Sequence, residues 1–186
     1  MALEEPSYKV LESEGDYELR RYESYIVAET YVEGDFEKVG SDGFRRLADY
    51  IGGKNKKKAS ISMTAPVSQR PESKKIEMTA PVTQERKDQK WRITFMMPSK
   101  YTMDELPTPD DNRIAIREEE SKTAAVIRYS GTWGKKRYEE HEKKLRDWIV
   151  RKGWGIIGEP TWARYNPPFM PWFMRRNEIL IPVRIQ

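Results

Sequence analysis

The sequence predicts an α+β fold, with one strongly curved and mainly antiparallel sheet carrying two helices, and three observations lead there. The apolar period switches from two to about 3.6 and back, twice along the chain. The second switch repeats the first. Ala28 to Phe36 ends in Glu-Gly-Asp-Phe and Ala125 to Trp133 in Ser-Gly-Thr-Trp, while Leu47-Ala48-Asp49-Tyr50-Ile51 answers Leu145-Arg146-Asp147-Trp148-Ile149. Further strands follow each helix. The chain therefore reads as a single domain over 1–186 built from two β-α-β-β repeats, about 17–97 and 113–186, related by a pseudo-twofold.

Taken in order, Tyr8 to Leu11 and Tyr17 to Tyr22 are short strands separated by the turn signal Glu14-Gly15-Asp16. Tyr25 to Glu33 alternates, with Ile26, Ala28, Thr30 and Val32 on one face. Asp35 then caps a helix whose apolar positions are Phe36, Val39, Phe44, Leu47, Ala48 and Ile51, closed by Gly52-Gly53. Gly40 and Gly43 inside it cost about 1 kcal/mol each relative to alanine. Something must therefore approach the backbone there, either a strand or a flat ligand. Ile61-Ser62-Met63-Thr64-Ala65-Pro66-Val67 recurs as Ile76-Glu77-Met78-Thr79-Ala80-Pro81-Val82 around the turn Arg70-Pro71-Glu72-Ser73. The two copies read as adjacent strands, the first within Ala59 to Gln69, with a bulge or edge at each proline. Trp91, Ile93, Phe95 and Met97 alternate inward along another strand, and Tyr101 to Asn112 is a connecting loop. The second helix presents Tyr138, His141, Leu145, Trp148 and Ile149 on one face and stops at Gly153; Trp162 to Tyr165 and Asn177 to Ile185 close the sheet.

Composition narrows the chemistry. No cysteine means no disulfide, thiolate metal site or thiol nucleophile, which suits a reducing cytosol. The 34 Lys+Arg against 30 Asp+Glu alternate in sign, and only Lys54 to Lys58 forms a cationic run, so a nucleic-acid face is not expected. No apolar run reaches the roughly 18 residues of a membrane span, and Met1 to Ser7 lacks the apolar core of a secretory signal. A cytoplasmic protein is the expectation. One histidine and no nucleophile elbow or phosphate loop argue against an enzyme.

The most unusual stretch is Tyr165-Asn166-Pro167-Pro168-Phe169-Met170-Pro171-Trp172-Phe173-Met174-Arg175-Arg176-Asn177-Glu178. Its prolines stiffen a loop loaded with large apolar side chains, which either plugs the end of the core or presents an apolar wall.

That block, together with the doubled Met-Thr-Ala-Pro-Val, Phe95-Met96-Met97-Pro98-Ser99-Lys100-Tyr101-Thr102 and Tyr129-Ser130-Gly131, resembles the SOUL haem-binding family from about Tyr8 to Ile185. The resemblance implies a distorted antiparallel β-barrel flanked by two helices, related to gyrase-inhibitor-like small-molecule binders. It implies non-covalent binding of haem or another tetrapyrrole, by a carrier or buffer, in an apolar groove between the first helix and the loop before the last strand. Val39, Gly43, Leu47, Tyr50 and Ile51 would line one side and Phe169, Met170, Trp172 and Phe173 the other. Arg46 and Arg175 would meet the propionates. At the position where some members carry an iron-ligating histidine this chain has Arg21, and the basic residues assigned to the propionates elsewhere fall near Ser41, Asp49 and Met170.

Other candidates remain open. His141 is either an iron ligand or a hydrogen-bonded residue at the helix–sheet boundary. Met63, Met78 and Met170 are either thioether ligands or packing. Glu178 matches a ligand-facing glutamate of gyrase-inhibitor-like relatives, as a binder or hydrolase of small cationic molecules; paired with Arg175 or Arg176 it would be structural. The aromatic loop could also meet a protein partner, a second copy included.

Overall fold

A computed structural model of the chain describes residues 3–56, 74–167 and 169–185. The first Met-Thr-Ala-Pro-Val copy, the Ala59 to Gln69 strand, the Arg70 to Ser73 turn, Met63 and the end of the lysine run lie outside the described residues. Strands β1 (Tyr8–Glu14), β2 (Tyr17–Tyr22) and β3 (Tyr25–Val32) precede helix α1 (Phe36–Ile51). Six strands follow: β4 (Asn55–Lys56), β5 (Val82–Lys87), β6 (Lys90–Met96), β7 (Thr108–Pro109), β8 (Ile114–Glu119) and β9 (Lys122–Tyr129). After α2 (Lys135–Lys152) come β10 (Gly155–Ile156), β11 (Thr161–Arg164), a 3-10 turn (Trp172–Met174) and β12 (Asn177–Arg184).

The main sheet is antiparallel throughout and runs β1-β2-β9-β12-β11-β5-β6-β3-β8, with β10 beside β12; β4 pairs separately with β7. Outward from the β11–β5 junction, β12 answers β6, β9 answers β3 and β2 answers β8. The expected barrel is not closed. The sheet ends at β1 and β8, and no described strand joins them. Strand β1 is largely exposed and carries Lys9, Glu12 and Glu14 along its length, charges that keep an open edge from recruiting another strand. The second Met-Thr-Ala-Pro-Val copy also departs from expectation. Residues 76–81 are not in the ladder, because β5 starts at Val82, after the cis Ala80–Pro81 peptide.

Both helices cover one face of the sheet. Helix α1 packs on β3 and β6, burying Val39, Leu47, Tyr50 and Ile51 with Ala28, Val32, Ile93 and Phe95. Gly43 makes this possible, for a Cβ there would lie 2.8 Å from Ile93 Cβ and nearer still to its Cγ1. The close neighbour is thus a strand, not a ligand. Asp35 starts the helix through its backbone carbonyl, which accepts from the amides of Lys38 and Val39, while its side chain makes no cap bond. Helix α2 packs Tyr138, Leu145, Trp148 and Ile149 on β9 and β12 and ends at Gly153, whose φ of 72° suits glycine. Phe36 of α1 joins the two halves, edge-on to Tyr138 at 5.1 Å and to Trp162 at 5.2 Å.

Candidate functional site

The closing strand fixes the chemistry of its two faces. In β12, Asn177, Ile179, Ile181 and Val183 point toward α2, and alternation sends Glu178 and Leu180 to the opposite face. There the Glu178 carboxylate is fully buried. Arg20, itself 1% exposed, grips it with Nη1 at 2.8 Å and Nη2 at 3.1 Å. Arg176 Nε donates to it at 3.0 Å and the Tyr165 hydroxyl at 2.9 Å. Burial pushes the Glu178 carboxyl up, but the bond and charge of Arg20, then Arg176 and Tyr165, outweigh it and hold the group below the usual carboxylate range. All four of these hydrogen bonds come from protein, which is the paired arrangement of the structural alternative for Glu178. Its principal partner is Arg20 of β2, beside the Arg176 that sequence reasoning offered.

The same cluster clamps the base of the aromatic loop. Arg176 lies 3.8 Å over the Tyr165 ring, donates its backbone amide to Asn166 Oδ1 and reaches Glu5 near the amino terminus. Inside the loop the Met170 and Met174 amides bond the carbonyls of Pro167 and Pro171. Arg175 donates Nε to the Met170 carbonyl and stacks on Trp133 at 4.4 Å. Trp133 in turn donates to Asn177 Oδ1. Held at both ends, the loop keeps its rings outside: Phe169 is 86% exposed, Trp172 58%, Phe173 61% and Met174 60%. It is a wall and not a plug.

The other expected wall is elsewhere. Val39, Gly43, Leu47, Tyr50 and Ile51 face the sheet and are buried in the core, with the Tyr50 hydroxyl spent on the Pro107 carbonyl. They have no surface to offer a ligand. Arg46 donates to Thr30 Oγ1 and the Tyr31 carbonyl, on the β3 side. The seam between the helices is occupied as well. Arg164 of β11 donates Nε to the Tyr138 hydroxyl and Nη2 to Gln84 Oε1, and lies against Gly40. Two surface clefts, of about 520 and 550 Å³, include none of the expected site residues.

His141 takes the quieter of its two readings. Its Nδ1 bonds the Arg137 carbonyl one turn back, and its ring stacks on Tyr129 at 3.9 Å. Burial lowers its pKa, so the neutral form prevails at pH 7. Arg21 is exposed on β2, and Met78 is exposed outside the ladder.

These features meet on a chain whose residues 3–182 match the family model described as SOUL heme-binding protein. The chain belongs to that family. It is 31% identical over 167 residues to "Heme-binding protein 1" of Xenopus laevis, covering 88% of this chain and 81% of the relative. It is 28% identical over 191 residues to "Heme-binding protein 2" of Mus musculus, covering 95% and 88%. Among solved structures, its fold is similar to the EcmrR C-terminal domain, with a TM-score of 0.60, 14% identity and 96% and 99% of the two chains covered. It is similar also to a hydrolase from Listeria innocua, with a TM-score of 0.58, 10% identity and 94% of each chain covered. At such identities the likeness is one of fold.

Proposed function

We propose that this SOUL-family protein binds haem or a similar tetrapyrrole non-covalently, as a cytoplasmic carrier or buffer and not as an enzyme. The observation that carries the reading is the exposed aromatic shelf, Phe169, Trp172 and Phe173, held rigidly beside Arg175 in a family named for haem. A porphyrin is an apolar disc with two carboxylates, and this donor set fits it: ring faces to stack on and a guanidinium at the edge. Met170 would complete the shelf. Val39, Gly43, Leu47, Tyr50 and Ile51 would act from behind, by fixing the sheet from which the loop springs. Bound haem would supply an iron centre. His141, committed to its own helix and to Tyr129, does not present itself as the axial ligand. The strand order about the β11–β5 junction supports reading the two repeats as a duplicated unit.

A haemin titration followed by absorbance tests the proposal. The expected result is a Soret shift with near-stoichiometric saturation. Trp172→Ala with Phe173→Ala should weaken affinity about tenfold or more, about 1.4 kcal/mol, and His141→Ala should leave the Soret position unchanged. Unshifted, aggregate-like absorbance with the intact protein would sink the reading, as would an aromatic double variant that titrates like the parent.

A further inference from the structure

Between Glu159 and Glu178 the chain holds no acidic residue and three arginines, and between Glu120 and Glu139 it again holds no acid and five basic residues. The stack of Arg175 on Trp133 seats the aromatic loop against the start of α2. That first turn contains Lys135, Lys136 and Arg137 and no acid, and it is also the positive end of an 18-residue helix. Lys135 and Lys136 are exposed, Lys135 in a loose solvent-facing pair with Glu139 at 3.7 Å. The protruding rings therefore stand on a cationic base.

Shape favours one kind of partner. Phe169, Trp172, Phe173 and Met174 project outward, so whatever covers them must yield around a convex tip. A bilayer interface does this, and Trp and Phe are residues that settle there. Pro167 and Pro171 stiffen the tip, so little conformational freedom is lost on insertion. Three rings alone make a weak anchor; rings together with a basic rim provide the two signals that stable membrane anchoring takes.

We infer that this loop is a docking tip for an anionic bilayer surface. Phe169, Trp172 and Phe173 enter the boundary between headgroups and acyl chains, while Lys135, Lys136 and Arg175 face the lipid phosphates. The tip shares its rings with the haem reading but does not depend on haem.

Flotation of the full-length, haem-free protein with vesicles of phosphatidylcholine, alone or mixed with phosphatidylglycerol, tests the inference. The protein should float with the anionic vesicles and stay behind with the neutral ones, and added salt should release it. Trp172→Ala with Phe173→Ala, and separately Lys135→Glu with Lys136→Glu, should each cut the bound fraction about fivefold or more. All four side chains are exposed, and far-UV circular dichroism verifies that both variants are folded. No flotation with anionic vesicles at low salt would overturn the docking tip. So would an aromatic variant that floats like the parent. A light-scattering dimer that the aromatic variant dissociates, without vesicle binding, would assign the rings to a second copy instead. A lipid-free haemin titration run in parallel separates the two ideas, because its failure removes the haem reading and leaves the flotation result standing.

Discussion

Helix α1 and the 169–174 loop are both rich in aliphatic and aromatic side chains, yet the structure treats them oppositely. Along α1 the apolar residues recur on one face, and two strands, β3 and β6, receive that face at van der Waals distance. In the loop, prolines prevent any regular period, and the Tyr165–Arg176–Glu178 clamp holds the ends so that the middle cannot fold inward. Apolar content alone does not decide burial. A periodic face with an opposing surface is hidden, and an aperiodic, pinned segment stays out.

The sharpest way to break this contrast is on the helix side. Gly43→Val would drive a branched side chain into Ile93 and should destabilise the fold by about 3 kcal/mol or more. Leu47→Ala should cost about 2–5 kcal/mol through the cavity it leaves. Urea unfolding midpoints report both, and a loss under about 1 kcal/mol at either position would contradict the packing of α1.

Next in size is the clamp. Glu178→Gln removes the buried charge that Arg20 and Arg176 share, leaving them the part-exposed carboxylates of Glu18 and Glu5, and should cost about 3 kcal/mol. Because the folded pKa of Glu178 lies below that of the unfolded chain, its contribution is complete above about pH 4.3 and disappears as pH falls through the lower folded value. Stability measured against pH should therefore fall less steeply below about pH 4 in the variant than in the parent. Parallel acid limbs would contradict the pairing. Smaller again, Tyr50→Phe loses one buried hydrogen bond to the Pro107 carbonyl and should cost about 1 kcal/mol in the same unfolding measurement.

On the loop side the expected stability change is the smallest. Trp172→Ala with Phe173→Ala should move the unfolding free energy by no more than about 0.5 kcal/mol, because exposed rings contribute little to folding. A thermal melt that drops by several degrees would mean that the loop belongs to the core after all.

Much of this architecture is legible in the residues because it is local. Asp35, the spacing of Phe36 to Ile51 and Gly52 mark α1; Gly153 ends α2; the alternation of Trp91, Ile93, Phe95 and Met97 places β6. What is not legible lies between strands distant in sequence. Arg20 meets Glu178 across 158 positions, and the alternation of Tyr17 to Tyr22 reveals only that Arg20 shares a face with Tyr22. Glu29 is fully buried between Arg92 and Arg117, again from separate strands. Arg164, which fills the seam between the helices, carries no local signal of that role. The α1 wall misled for a related reason. A helical stripe shows that a face will be covered, and the covering surface here is Ile93 and its neighbours rather than a ligand.

The strand order has a consequence for how the chain can be divided. Strand β2, from the amino-terminal half, is hydrogen-bonded to β9 of the other half, and β8 crosses back to β3. Neither half owns a finished sheet. Cut in the segment between β7 and β8, the protein should yield two fragments that are each incompetent alone and that reassemble when mixed.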